Sequence, residues 1–73
     1  MKYYGTTIER RMLGYGSYQL IQYNRNGKEI WRGTTHDASV YDAITEDPND
    51  RNDWGETYRS VVARELRRLK SQW

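Results

Sequence analysis

The stretch YNRNGKEIWRG, residues 23–33, sets a tight-turn signal between two runs of β-favouring side chains. Asn24-Arg25-Asn26-Gly27 suits a type I turn: Asn24 can bond its own downstream backbone, and Gly27 is free to take positive φ as a G1 bulge. A two-residue type I′ loop at Asn26-Gly27 is the competing register. Either geometry returns Lys28 to Gly33 as a strand antiparallel to the run from Ser17 to Tyr23. The difference lies in what Trp31 meets. The bulged register sets it opposite Ile21, and the two-residue register sets it opposite Gln22.

Upstream, Gly14-Tyr15-Gly16 marks a turn, and the Tyr-, Thr- and Ile-bearing run from Tyr3 to Leu13 alternates as a strand interrupted or bulged at Gly5. Downstream of Gly33 the period changes. Thr34-Thr35-His36-Asp37 has the spacing of a capping box, and Val40, Tyr41 and Ile44 recur at helical spacing, which predicts a short helix near residues 36–45. Pro48 stops any continuation. Asp53-Trp54-Gly55-Glu56 repeats the capping box, and beyond it Trp54, Tyr58, Val61, Val62, Leu66, Leu69 and Trp73 fall on one helical stripe. That stripe predicts a helix from about Trp54 to Ser71. The expected fold is α+β and runs β-β-β-α-α: a three-stranded antiparallel β-meander packed against a short helix and a long C-terminal helix, in one small domain spanning residues 1–73. One sheet face is then covered and the other open, with Tyr18 and Leu20 pointing one way and Ile21 and Tyr23 the other.

A chain of 73 residues buries only about 60% of its unfolded surface, which leaves little room for an internal active site. Cysteine is absent, so disulfides, thiolate metal sites and thiol nucleophiles are excluded together. The lone histidine, His36, argues against a histidine-based metal site, and no metal or cofactor is expected. The first apolar run is broken by Gly5 and by Glu9-Arg10-Arg11, unlike a signal peptide. No stretch approaches the roughly 20 apolar residues that span a bilayer. The expectation is a cytoplasmic protein without membrane association.

The net charge of +2 conceals a segregation into basic, acidic and basic blocks. Residues 1–35 carry +4, residues 36–56 carry −6 and residues 57–73 carry +4. Such blocks neutralise one another across a fold or present a dipolar surface. The carboxylates of the central block do not match a calcium loop: counted from Asp47 the fifth position is Arg51, and counted from Asp50 it is Trp54. Asp53 and Glu56 read as helix caps and the others as loop solvation. Gly14-Tyr15-Gly16 lacks the helix and the Lys-Ser/Thr of a phosphate loop. No enzymatic activity is expected.

Two classes of binding remain. Seven Tyr, three Trp and no Phe, together with many Arg, is the composition of a contact surface. Around the opening hairpin the candidates are Tyr18, Tyr23, Arg25, Lys28, Trp31 and Arg32; on the last helix they are Arg64, Arg67 and Arg68. The first expectation is a small non-enzymatic modulator or inhibitor, of the type made by phages and mobile elements, that binds a host protein or nucleoprotein. The alternative is a nucleic-acid-binding (DNA-binding) domain that pairs phosphate neutralisation with aromatic stacking on its sheet. The acidic central block weighs against that alternative.

Overall fold

The computed structural model describes residues 1–72. Its elements are β1 (Lys2–Tyr3), β2 (Thr6–Gly14), β3 (Ser17–Tyr23), β4 (Glu29–Thr35), α1 (Ala38–Ala43) and α2 (Tyr58–Lys70). The α+β class, the antiparallel sheet and the long C-terminal helix are as expected. The sheet nevertheless has four strands, in the order β1-β2-β3-β4, where three were expected. The run from Tyr3 is not one interrupted strand. Tyr4 and Gly5 both take positive φ, 46° and 78°, so the chain reverses in a two-residue turn of the I′ kind that pairs Tyr3 with Thr6.

The β3–β4 turn keeps the chemistry of its type I reading. Gly27 N–H donates to the Asn24 carbonyl at 3.0 Å, the Asn24 side chain accepts from the Asn26 and Lys28 amides, and Gly27 sits at φ 84°. Two residues later the ladder shifts: Tyr23 pairs with Glu29, but Gln22 pairs with Trp31. Ile30 is the extra residue of this second bulge, and it is left half exposed. Neither expected register is realised whole. The turn of one is combined with the Trp31–Gln22 pairing of the other, because the inserted residue flips Trp31 to the opposite sheet face.

That face is the covered one. Ile8, Leu20 and Trp31 of the sheet pack against Val40, Ala43 and Ile44 at α1 and Val62, Leu66 and Leu69 on α2. Gly33 makes room for Trp31: a Cβ there would lie 2.5 Å from the indole ring. Gln22, also buried, donates to the Thr6 hydroxyl at 3.0 Å and accepts from the Lys70 ammonium at 2.8 Å, so its amide is satisfied inside the core. On the other face Ile21 is flanked across the ladder by Glu9 and Arg32 and is fully buried between its neighbours.

Both helix starts differ from the sequence expectation. Asp37 itself caps α1, its carboxylate accepting from the Ser39 amide and hydroxyl, while Thr35 is the last residue of β4. α2 begins at Tyr58, capped by the Thr57 hydroxyl, rather than at Trp54. Gly55 takes φ 79°, which no helix tolerates, and residues 51–57 instead form a small loop closed by an Arg51–Thr57 bridge. Trp54 therefore leaves the apolar stripe and stands 87% exposed. Trp73, the far end of that stripe, lies outside the described residues.

Candidate protein-binding surfaces

The nine side chains singled out in the sequence do not share one surface. Trp31 is 8% exposed beneath α2 and is unavailable as a surface anchor; the bulge at Ile30 turned it inward. Tyr18 is half buried and stacks on Tyr41 at 4.5 Å, with the Arg10 guanidinium 3.8 Å from the other ring and donating to the Tyr41 carbonyl at 2.7 Å. Its role is to seat α1 on the sheet. Tyr23 lies half buried on the opposite face, and Arg25 and Lys28 are exposed in the adjacent turn.

Several of the cations are already engaged. Arg32 pairs with Glu29 at 2.6 Å, a contact that lowers the Glu29 pKa and raises that of Arg32. Arg64 pairs with Glu56, and Arg68 pairs with Glu65 at 2.5 Å. Arg67 is exposed on the same helix. The candidate aromatics thus sit apart from the candidate cations: Tyr18 and Trp31 face the helices, where Arg10 and Lys70 lie against their clusters, and only Tyr23 shares a face with Arg32.

A different set of side chains is presented to solvent. At the far end of the β2–β3 hairpin Met12 is 63% exposed, Leu13 54% and Tyr15 fully. The geometry is built in. Met12 pairs with Tyr18 and Gly14 with Ser17, so Leu13 is an unpaired bulge residue pushed out of the ladder, and Gly16 at φ 76° completes a two-residue turn that leaves Tyr15 at its crest. The readable signal was the adjacent apolar pair Met12-Leu13, which places one apolar side chain on each face of a strand just before a turn. Alternation alone would bury only one of them.

Between α1, the 51–57 loop and α2 lies a cleft of about 600 Å³. Val61, Tyr58 and Trp54 contribute its accessible apolar surface, with Val40 and Ala43 buried beneath. Its charged lining comprises six carboxylates and two arginines, so four carboxylates are in excess. Both arginines are the ones bound to Glu56 and Glu65, whereas Asp42, Glu46 and Asp53 make no ion pair among the described residues. Asp37 on the rim has its pKa lowered, first by the Ser39 hydroxyl bond, so it is firmly ionised at neutral pH. A smaller pocket of about 330 Å³ opens beside the β1–β2 turn and is lined by Lys2, Thr7, Asn24 and Arg25, among others.

No helix among the described residues is long and apolar enough to cross a membrane. No protein-family model, curated protein or solved structure matches the chain.

Proposed function

We propose that this chain is a small non-enzymatic binding protein that acts by docking on another protein, with the end of the β2–β3 hairpin as its leading contact. The observation that supports this reading is the exposure of Met12, Leu13 and Tyr15 together at the end of one hairpin. Apolar side chains held in water are unfavourable, and covering them against a partner returns about 25 cal/mol per Å² of apolar area. Tyr15 adds a hydroxyl that can bond at the edge of such an interface. An exposed apolar hairpin end on a small body suits a modulator or inhibitor, which occupies a surface and leaves the chemistry to its partner.

Affinity capture on the immobilised chain and on a Leu13→Asp/Tyr15→Ser variant, each with and without nuclease, tests the proposal. A protein partner that survives nuclease on the parent and is lost from the variant is expected. A partner that disappears with nuclease, or that both chains retain equally, contradicts it.

Nucleic-acid binding is favoured by one observation, the small pocket where Lys2 and Arg25 converge beside Thr7 and Asn24. This arrangement suits a phosphate group. On that reading, affinity for an oligonucleotide falls with salt by roughly one unit of log-log slope per phosphate contact, and Arg25→Ala lowers the slope by about one.

A further inference from the structure

We infer that the cleft between α1 and α2 is a docking groove for an extended basic segment of a partner protein, one that inserts the stem of an arginine or lysine. The inference does not depend on the hairpin end, which lies on β2 and β3 rather than on the helices.

Three features of the groove converge on that occupant. Its apolar surface, from Val61 and Tyr58 with the buried Val40 and Ala43 beneath, suits the methylene stem of a long cationic side chain, which packs on apolar atoms while its head stays with polar ones. The head then meets Asp42, Glu46 and Asp53, whose charges no ion pair within the described residues offsets. Trp54 stands 87% exposed on the same rim and offers an indole face to a guanidinium. The sequence around it holds this indole outward, because Gly55 at φ 79° and the Asn52 side chain, which accepts from the Trp54 and Glu56 amides, fix the loop.

An anionic occupant is opposed by the same excess of four carboxylates, and a wholly apolar one would bury Asp42 and Glu46 without partners. A cationic segment satisfies both the floor and the rim. Arg64 and Arg68 do not compete for the rim carboxylates, since Glu56 and Glu65 already hold them.

The test is titration of the full ¹⁵N-labelled chain with a capped octapeptide of alternating Leu and Arg, followed by NMR, alongside the matched Leu-Glu peptide and spermine. The Leu-Arg peptide is expected to shift the Trp54 indole and the amides of Val40, Ala43 and Val61. Its affinity should fall on raising salt, by about tenfold or more in an Asp42→Asn/Glu46→Gln variant and by about threefold in Trp54→Ala. All three positions are exposed, and retained amide dispersion in the variants verifies that they fold. Leu13→Asp should bind the peptide like the parent, which separates this groove from the hairpin end. Four results would overturn the inference: no shifts in the groove up to millimolar peptide, equal binding of the Leu-Glu peptide, spermine binding as tightly as the Leu-Arg peptide, or self-association of the chain that covers the groove.

Discussion

The Thr35 hydroxyl, at the end of β4, donates to the Glu65 carboxylate in the middle of α2, and both residues are buried. The bond is one link in a chain. The Asp37 amide donates to the Thr35 oxygen at 3.1 Å, and Arg68 donates to both Glu65 oxygens. One carboxylate thereby ties the last strand, the entry to α1 and the long helix together. The Arg68 bond, helped by that from Thr35, holds the Glu65 pKa below its ordinary 4.5 despite burial, which acts in the opposite direction.

A group whose pKa is lowered by folding contributes stability above its unfolded value and loses it as pH falls through the folded one. Glu65→Gln is expected to cost about 1 to 3 kcal/mol at neutral pH. The gap between parent and variant should narrow as pH drops below 4.5, the ordinary value. Urea unfolding at several pH values checks this, and a gap that stays constant down to pH values where the parent unfolds would remove the linkage.

Leu66 is 2% exposed in the centre of the helix–sheet core. Leu66→Ala should cost about 2 to 5 kcal/mol, a large share of the margin of so small a chain. Thermal unfolding by circular dichroism reads the loss. An alanine variant as stable as the parent would contradict the packing of α2 on the sheet.

Gly33 and Trp31 test how the indole packs along β4. Adding a methyl group at Gly33 puts a Cβ 2.5 Å from the Trp31 ring, so Gly33→Ala should destabilise by about 1 to 3 kcal/mol and alter the near-ultraviolet signal of the indole. A Gly33→Ala variant as stable as the parent, with an unchanged indole signal, would contradict the close packing of the Trp31 ring over Gly33.

These residues show which parts of the fold were legible. The Asn24–Gly27 turn could be read because its side-chain and φ demands are local. The bulge at Ile30 could not, since it answers a distant requirement: Trp31 has to fill space beneath Leu66 and Leu69, and only an inserted residue changes its face. The β1–β2 turn was hidden because Tyr4 takes a positive φ that its side chain disfavours. At α2 the apolar stripe from Tyr58 to Leu69 was plain, but its start was masked by the Asp53–Glu56 capping pattern, which Gly55 overrides.

The same logic separates the candidate sites. Composition points to an aromatic and cationic contact surface, and the cations Arg25, Lys28 and Arg67 are exposed. Period-two alternation cannot tell which sheet face the helices will cover, so it neither turns Trp31 inward nor singles out Met12 and Leu13 beside Tyr15 as the exposed apolar end. The acidic block was legible as a block. Its gathering around an apolar groove depends on how α1 packs beside α2.

The exposed hairpin end should be separable from folding. Leu13→Asp and Tyr15→Ser are expected to change stability by no more than about 0.5 kcal/mol, because neither side chain packs in the core. Each should weaken partner binding, with a cost of about 2 kcal/mol or more if the residue is an anchor. Variants that lose stability and binding together would make the hairpin end a structural element and not a contact.

Site-specific crosslinking tests the protein-docking claim most directly. A photo-reactive amino acid at position 15, at the crest of the β2–β3 turn, is compared with one at position 60, on the exposed side of the first turn of α2. After nuclease treatment of a native lysate, a discrete protein adduct is expected from position 15 and not from position 60. Adducts only to nucleic acid, or the same protein adducts from both positions, would contradict the account.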